Sequence, residues 1–551
     1  MEKVRSRAYL SPTLVLLAFD WPDGGARQDF LGFAIRRSPG FQGQAESWLP
    51  NRVGFEGPAR DGADLPSNTS PVQKFLWWDA RIDDPDRGKS FTYTIAPVVG
   101  KPEAPELLAD CAGDLAVTIP HPFDATLGIA TYFNRAVVSS QAFAKEFPGE
   151  LDEARLHAAL GWLANGLQTA IPEFLKGSSA VEGAIYHLTD EEWVIPALQS
   201  YSGQASLVYN KTAKDDANAD SVAALESKVE FVARTRARIM HDKFLVRVQD
   251  GEAVALLTGS ANFTTEGLAT QANVLHTFES PGLARLYRDR KALLAQNLTL
   301  GKTAADVTGW SEPVSVGEAR IRVFFSPEPK GERESIDTIV KAVEEAQSSV
   351  LFCLFMPTDA KLRKAAFAAG DQGKMMYGLI NKISEGDPEE EPADAGAQAR
   401  VEIYHRSRDN KDVYAHALFP RDDVPEGFWF ESSSLPGKAS KFPVYIHHKF
   451  LVIDGETDHP TVYTGSANMS KGSLENNDEN LLEIKGSRTL AAIYLAEFMR
   501  LYEHYRARAV WGRAQHDNWK TYRLLPDARW AKKAYTPGTP ELKSRVNMAG
   551  R

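Results

Sequence analysis

A duplicated pair of short motifs constrains the fold of this 551-residue chain more than any other feature. The hexapeptide that begins at His241 is repeated at His447, and the pentapeptide that begins at Thr258 is repeated at Thr464. Both repeats have the same offset of 206 residues, and ten of their eleven positions are identical. Two copies at one offset predict two structurally equivalent halves within a single chain.

Each copy supplies side chains suited to an anionic phosphodiester. On a strand, residues i and i+2 share a face, so His241 and Lys243 are predicted to project together, as are His447 and Lys449. The glycine of each pentapeptide lets the backbone approach an anion closely. The side chains that can donate hydrogen bonds to phosphate oxygens are Ser260, Asn262, Ser466 and Asn468. Joined halves would provide a nucleophile, a proton donor and positive charge in one pocket, without a metal or other cofactor.

These motifs resemble the signature of the phospholipase D superfamily, His-x-Lys-x4-Asp followed by Gly-Ser-x-Asn. The resemblance covers residues 125–510 and implies a phosphodiesterase, a hydrolase acting on ester bonds. In this family one histidine attacks phosphorus and forms a phosphohistidine, while the other protonates the leaving oxygen and then activates water. By precedent in two-copy chains, His241 would be the nucleophile and His447 the acid and base, with Lys243 and Lys449 beside them.

The two copies depart from the family pattern in different ways. Asp454 occupies the aspartate position of the second copy, whereas the first copy has Val248 there. The resemblance implies that Asp454 supports the fold. Glu479 matches the acidic residue that follows the second Gly-Ser-x-Asn motif. In some relatives a glutamate orients one histidine across the interface and a glutamine orients the other, which implies that Glu479 orients His241 and Gln271 supports His447.

The pattern along the chain predicts an α/β fold preceded by an all-β region. Residues 1–122 are predicted to be all-β, because Leu31, Phe33 and Ile35 alternate at period two. The stretch from Phe75 to Val99 weakly resembles a fibronectin- or immunoglobulin-like sandwich. Residues 125–300 and 316–510 are predicted to be two phospholipase D-like β-α-β halves that form a pseudo-twofold pair. The strands predicted within them include 129–133, 183–188, 321–325 and 350–356.

The net charge, the apolar runs and the cysteine count argue against several classes of protein. The net charge is −10, so the chain as a whole lacks a strongly basic nucleic-acid footprint. No apolar run approaches the ~20 residues of a membrane-spanning helix. Two cysteines, Cys111 and Cys353, cannot form a disulfide framework. A reducing cytoplasm is the predicted location.

The predicted C-terminal tail, residues 511–551, bears on the substrate. From Leu501 to Arg551 there are eleven Lys and Arg residues against four Asp and Glu. The interleaved aromatic residues are Tyr502, Tyr505, Trp511, Trp519, Tyr522, Trp530 and Tyr535. Such a mixture suits phosphate contacts and base stacking, which favours nucleic acid as substrate. It also suits an anionic membrane surface, and thus a phospholipase D acting on lipid head groups. A third alternative is that the tail packs against the rest of the fold.

Two further functions remain open. A degenerate enzyme would keep the pocket as a non-catalytic phosphate-binding module. A transferase would pass the phosphoryl group to an alcohol instead of water.

Overall fold

The computed structural model describes residues 1–59, 63–136, 151–213, 215–355, 357–382, 400–405, 407–415, 446–517 and 523–550, together with Phe143, Glu146 and Phe147. Within these residues the chain forms a β-rich N-terminal region, two large mixed sheets with flanking helices, and a helical C-terminal segment. The acidic stretch of sequence from Gly386 to Gly396, which contains Glu389, Glu390 and Glu391, lies outside the described residues.

The N-terminal region consists of short antiparallel sheets. Its strands are β1 (Arg5–Ser11), β2 (Leu14–Asp20), β3 (Phe30–Ser38), β4 (Ser47–Trp48), β5 (Pro50–Asn51), β6 (Val53–Gly54), β7 (Gly57–Pro58), β8 (Leu65–Pro66), β9 (Leu76–Asp79), β10 (Ser90–Lys101), β11 (Ala104–Leu107) and β12 (Gly113–Thr118). One sheet has the order β1-β2-β9 and another has the order β11-β10-β3-β4, with β12 also pairing with β10. Phe33 and Ile35 enter the main core, whereas Leu31 packs in a separate cluster. The register shift opposite Gly32, whose φ is 140°, interrupts the predicted alternation.

The first large sheet contains the first motif copy. Its strands, with one short strand that pairs elsewhere, are β13 (Phe123–Asp124), β14 (Ile129–Phe133), β15 (Ala180–Ile185), β16 (Gln204–Asn210), β17 (Val229–Arg234), β18 (Ile239–Met240), β19 (Lys243–Gln249), β20 (Glu252–Gly259) and β21 (Val274–Phe278). The helices are α1 (Glu153–Ala164), α2 (Leu167–Leu175), α3 (Val194–Ser200), α4 (Ala219–Leu225), α5 (Pro281–Ala295) and α6 (Leu300–Ala305). The strand order is β13-β14-β21-β20-β19-β15-β16-β17.

The second large sheet contains the second copy. Its strands are β22 (Val314–Val316), β23 (Ala319–Ser326), β24 (Ser349–Leu354), β25 (Met375–Lys382), β26 (Arg400–His405), β27 (Ser407–Ala415), β28 (Lys449–Ile453), β29 (Thr461–Gly465) and β30 (Asn477–Lys485). The helices are α7 (Glu334–Glu345), α8 (Ala360–Asp371), α9 (Lys471–Glu475) and α10 (Arg488–Asp517). Its order β23-β30-β29-β28-β24-β25 matches β14-β21-β20-β19-β15-β16 of the first sheet.

Each half also pairs with the backbone of the other. The short strand β18 runs parallel to β30, with Ile239 opposite Asn477 and Met240 opposite Asp478. In the reverse direction, Ala272 forms a parallel bridge with Ile446. These reciprocal contacts lie immediately before the two motif histidines, so they set the position of each histidine relative to the opposite sheet.

The C-terminal segment does not begin as a separate unit at residue 511. Helix α10 continues from Arg488 to Asp517 and therefore crosses that predicted boundary. Two short helices follow, α11 (Lys532–Tyr535) and α12 (Pro540–Met548). Among the helices in the described part of the chain, none is both long and apolar enough to cross a membrane.

The described aromatic residues of this segment pack against the N-terminal region. Trp530 stacks on Phe75 with ring centroids 5.2 Å apart, and its indole N–H donates to the Phe30 carbonyl. The Tyr535 hydroxyl donates to the Trp21 carbonyl, and the Arg545 guanidinium lies 4.0 Å from the Tyr535 ring centroid.

These contacts correspond to the packing alternative for the tail. Trp530 and Tyr535 are in contact with protein groups, which favours the packing alternative for these two residues, and nucleic-acid binding by the segment stays a prediction. Trp519 and Tyr522 lie outside the described residues, as does the side chain of Trp511.

Candidate active site

Both motif histidines immediately precede the strands that carry the motif lysines. Strand β19 begins at Lys243 and β28 begins at Lys449, so each histidine lies two residues before its strand. The His241 N–H donates to the Asp478 carbonyl at 2.8 Å, and the His447 N–H donates to the Ala272 carbonyl at 3.1 Å. The histidines were predicted to lie on the strands, but they precede them. The backbone of the opposite half holds each histidine in place.

A carboxylate lies behind His241. Its Nδ1 is 2.7 Å from Oε2 of Glu479, which is fully buried on β30. The Ser466 hydroxyl donates to the same carboxylate oxygen at 2.8 Å. The other oxygen accepts hydrogen bonds from the Ser473 hydroxyl at 3.0 Å and the Asn477 amide at 3.2 Å. With Nδ1–H donating to Glu479, the lone pair of His241 lies on Nε2.

A carboxamide occupies the equivalent place behind His447. Its Nδ1 is 2.8 Å from Oδ1 of Asn273, which also accepts from the Ser260 hydroxyl at 2.8 Å. The Asn273 amide nitrogen donates to the Gly267 carbonyl at 2.8 Å, which fixes the orientation of the carboxamide. The two histidines thus have the same geometry of support but different chemical partners.

The predicted contact between Gln271 and His447 is wrong. Asn273 makes that contact, while the side-chain oxygen of Gln271 is buried without a hydrogen-bond partner among the described residues. The motif offset of 206 residues pairs Glu479 with Asn273 and pairs Gln271 with Asn477. Sequence reasoning therefore missed Asn273, although the offset that relates the two motifs would have identified it.

The motif serines act within the protein. Ser260 donates to Asn273 and accepts from the Val274 N–H at 3.1 Å. Ser466 donates to Glu479 and accepts from the Asn480 N–H at 2.9 Å. Both hydroxyls are therefore engaged in holding the groups behind the histidines, which differs from their predicted role in binding phosphate directly.

The motif asparagines and Asp454 have different surroundings. The side-chain oxygens of Asn262 and Asn468 are buried without a hydrogen-bond partner among the described residues, and a role in phosphate binding stays a prediction. Asp454 accepts hydrogen bonds from the backbone N–H groups of Gln347, Ser348 and Ser349, at 2.7–3.1 Å. Its carboxylate therefore caps the turn that leads into β24, away from the histidines.

The two lysines and two histidines form one electrostatic unit. All four are buried, and burial is the main cause that lowers the pKa of each. The pKa of Lys243 falls to about 7, and that of Lys449 falls well below its ordinary value. Each lysine also lowers the pKa of the histidine in the other half. Burial and the two lysines therefore both favour the neutral form of each imidazole.

An aromatic ring flanks each histidine, a feature that sequence reasoning missed. Tyr186 lies 4.9 Å from the His241 ring, and Phe355 lies 5.1 Å from the His447 ring. The Lys243 and Lys449 ammonium groups lie 5.0 Å and 5.3 Å from the same two aromatic rings. Each aromatic residue directly follows an apolar strand, β15 or β24, and this shared position is the only sequence signal that relates them.

Among the described residues, no group of three or more His, Cys, Asp or Glu side chains is arranged to hold a metal ion. The positive charge of the site comes from Lys243 and Lys449.

Comparison with known proteins agrees with this geometry. Residues 339–502 match the protein family described as "Cardiolipin synthase, PLD-like domain". The mitochondrial cardiolipin hydrolases of Xenopus laevis and Xenopus tropicalis are each 41% identical to this chain over 61 residues, which is 11% of this chain. The match spans 27% of the length of these curated relatives.

The solved structures to which this chain is similar have low sequence identity to it. Phosphatidylserine synthase from Haemophilus influenzae Rd KW20 is 11% identical, with a TM-score of 0.41, over 66% of this chain and 94% of that one. Yeast tyrosyl-DNA phosphodiesterase is 12% identical, with a TM-score of 0.31, over 57% of this chain and 84% of that one. The phospholipase D family member Nuc from Salmonella typhimurium is 18% identical, with a TM-score of 0.20, over 23% of this chain and 84% of that one. Similarities with TM-scores this low do not indicate which reaction the chain catalyses.

The family match covers the part of the chain that contains the second motif copy, including His447, Lys449 and Asn468. It confirms the resemblance drawn from the two motif copies: this chain carries a domain of the phospholipase D superfamily.

Proposed function

We propose that this protein is a phosphodiesterase that hydrolyses its substrate through a covalent phosphohistidine on His241. One observation carries the proposal: a carboxylate lies behind His241, whereas a carboxamide lies behind His447. Attack by Nε2 of His241 places positive charge on its ring. The Glu479 carboxylate stabilises that charge, and the neutral Asn273 amide does so much less.

In the first step, Nε2 of His241 forms a bond to phosphorus while the bond from phosphorus to the leaving oxygen breaks. The leaving oxygen takes a proton from His447. This step requires a protonated His447, which takes up a proton from solvent as the diester binds. The negative charge of the bound diester favours that uptake, because it offsets the repulsion from Lys243 and Lys449 that lowers the pKa of His447.

In the second step, the neutral His447 accepts a proton from water as the water oxygen attacks phosphorus. The bond between phosphorus and His241 breaks, and both histidines return to their starting state. The two ammonium groups stabilise the charge on the phosphoryl oxygens in both steps. We also infer that the halves are related by a pseudo-twofold axis through this site, on the support of their matching strand orders and reciprocal backbone contacts.

Two classes of phosphodiester are candidate substrates. The name of the Xenopus relatives supports a phospholipid, since they are called cardiolipin hydrolases. The preference for nucleic acid depended on the aromatic residues of the tail, and Trp530 and Tyr535 pack within the fold instead. We therefore place phospholipid ahead of nucleic acid.

Turnover of bis(p-nitrophenyl) phosphate tests the reaction class. The wild-type protein should release p-nitrophenol in buffer that contains a chelator, because the two lysines supply the positive charge that a metal supplies elsewhere. The His241→Ala variant is the matched control for contaminating activity and should release none. A folded wild-type protein that binds the diester without turning it over would support the phosphate-binding alternative. Phosphate ester products formed with added short alcohols would support a transferase.

A parallel assay tests the substrate class. Vesicles of cardiolipin and of phosphatidylglycerol, single-stranded DNA, duplex DNA and RNA are compared at equal phosphodiester concentration. We expect hydrolysis of the lipids. Lys532 and Lys533 are exposed, so their replacement by alanine separates a surface contact of the tail from its packing role. Preferential hydrolysis of nucleic acid, weakened by that replacement, would reverse the substrate order and restore the tail hypothesis.

A further inference from the structure

Two arginines and two aspartates form a buried cluster next to His241. The members of this clamp cluster are Arg234, Asp242, Arg290 and Asp478, each at most 3% exposed. Arg234 Nε lies 2.8 Å from Asp478 Oδ2. Arg290 reaches both aspartates, at 3.4 Å from Asp242 Oδ2 and 3.6 Å from Asp478 Oδ1. Removing or displacing one member of such a buried ion pair leaves an uncompensated buried charge, which is energetically costly. The four groups therefore hold one another in place.

The clamp cluster connects the two halves. Arg234 at the end of β17, Asp242 before β19 and Arg290 on α5 belong to the first half. Asp478 on β30 belongs to the second half, as does Ser326, whose carbonyl accepts a hydrogen bond from Arg290.

A polar bridge extends the same connection. Asn480 on β30 donates to Asp242 at 2.8 Å and accepts from the Tyr287 hydroxyl at 3.1 Å.

Two members of the clamp cluster are direct chain neighbours of the reacting pair. Asp242 follows His241, and Asp478 precedes Glu479. The Asp478 carbonyl also accepts the backbone N–H of His241 at 2.8 Å. Any shift of Asp478 would therefore move the imidazole and its carboxylate partner relative to one another.

Among the residues that the structure describes, the other half has no equivalent cluster. The motif offset pairs Asp242 with His448 and Asp478 with Ala272. His448 packs against the rings of Phe133 and Phe450, with centroids 5.3 Å and 5.1 Å away, and neither ring nitrogen has a hydrogen-bond partner among the described residues. The charged support is thus confined to the side of His241 and Glu479.

We propose that the clamp cluster is a positioning device for the nucleophile: Arg234 and Asp478 fix the distance and angle between His241 and Glu479. The inference rests on the proposed function. It predicts a defect in phosphoenzyme formation with little change in substrate binding, because none of the four residues is a ligand of the phosphate. Misplacement of reacting groups by about 1 Å can slow a reaction by about 10²-fold.

The test compares two buried arginine–aspartate pairs in the same chain. Asp478→Asn removes one negative charge from the clamp cluster and leaves Arg234 without its charged partner. Asp79→Asn does the same to the pair of Arg37 and Asp79, whose side chains are 4% and 1% exposed in the N-terminal region. Single-turnover formation of the phosphoenzyme is measured by rapid quench with bis(p-nitrophenyl) phosphate, below the Tm of both variants. Asp478→Asn should slow formation about 10- to 100-fold with KM within about twofold of wild type. Asp79→Asn should match the wild-type rate.

Equal rates for folded Asp478→Asn and wild type would overturn the positioning role. A wild-type protein that forms no phosphoenzyme would instead refute the proposed function, so the two failures are distinguishable. If Asp478→Asn does not fold, Asp242→Asn is the second variant. Burial raises the pKa of Asp242 to about 6, so its neutral amide is the milder change. It should slow phosphoenzyme formation in the same direction, and a wild-type rate for it would likewise overturn the inference.

Discussion

The two halves of this protein hold their histidines with the same geometry and different atoms. In both, Nδ1 of the histidine contacts a side-chain oxygen from the opposite half. That oxygen also accepts a hydrogen bond from the motif serine of its own half. That oxygen belongs to the Glu479 carboxylate on one side and to the Asn273 amide on the other. A nearly symmetric sequence repeat therefore produces a chemically asymmetric site.

The proposed roles of the two histidines rest on this difference, because the motifs alone do not distinguish the two halves. An imidazole that becomes bonded to phosphorus carries positive charge, and a buried carboxylate stabilises it. An imidazole that donates and accepts protons in alternate steps needs a weaker partner, so that it can return to neutrality. The distribution of partners agrees with His241 as nucleophile and His447 as acid and base.

Replacing Glu479 by glutamine gives both histidines an amide partner and so removes the chemical difference between the two halves. We expect kcat for bis(p-nitrophenyl) phosphate to fall by about 10³–10⁴-fold, on the scale known for an amide in place of a buried carboxylate behind a catalytic imidazole. Rapid-quench measurement should locate the loss in formation of the phosphoenzyme. A fall smaller than about tenfold would show that the carboxylate does not set the role of His241.

Replacing His447 by alanine removes the proposed acid and base. The expected loss is ~10²–10⁴-fold. It should be smaller for a diester with a p-nitrophenol leaving group than for one with an alkyl leaving group, because the former needs less protonation. Unchanged turnover of the alkyl diester in this variant would contradict the assigned role.

The pH dependence tests the shared charge of the site. Lys243 binds the anionic substrate in its protonated form, and its pKa is about 7, so kcat/KM should fall as pH rises through about 7. On the acid side, the pKa of His241 lies well below 6.5, so the nucleophile stays neutral down to lower pH. In Lys243→Arg the charge at this position persists, so the part of the alkaline decline that Lys243 causes should vanish, and any decline that remains would report Lys449. A wild-type profile that is flat from pH 6 to 9 would contradict this account.

Replacing Asn273 by aspartate gives both histidines a carboxylate partner and so tests whether the partner sets the pKa of His447. The added negative charge should raise the pKa of His447 by about 1–3 units. We expect the acid limb for breakdown of the phosphoenzyme to move to higher pH, while kcat at its optimum changes by less than about tenfold. The measurement is the breakdown rate as a function of pH, with Asn51→Asp, at a buried asparagine of the N-terminal region, as the matched control. An unmoved acid limb would argue against contact between residue 273 and His447 in solution.

Sequence reasoning located the site because its main residues recur at one offset. His241, His447, their lysines and Glu479 could all be named from the motifs. The partner of His447 was missed because Gln271 was chosen by analogy, although the offset leads from Glu479 to Asn273. Residues related by no motif were beyond reach. Arg234 meets Asp478 across 244 positions of the chain, and only the folded backbone brings them together.

The C-terminal segment shows a second limit of sequence reasoning. Basic and aromatic residues such as Lys532 and Trp530 have the same composition whether they bind nucleic acid, contact a membrane or pack on another part of the fold. The choice depends on whether a matching surface exists elsewhere in the chain. Here the rings of Phe30 and Phe75 supply it for Trp530.

Identification of the modified residue tests directly whether His241 is the nucleophile. Wild-type protein is mixed with bis(p-nitrophenyl) phosphate, quenched in alkali to preserve the acid-labile phosphorus–nitrogen bond, digested and mapped by mass spectrometry. We predict a p-nitrophenylphosphoryl adduct on His241, because only one of the two p-nitrophenol groups leaves in the first step. The adduct should be absent in His241→Ala and should form more slowly in Glu479→Gln. An adduct on His447 would contradict it.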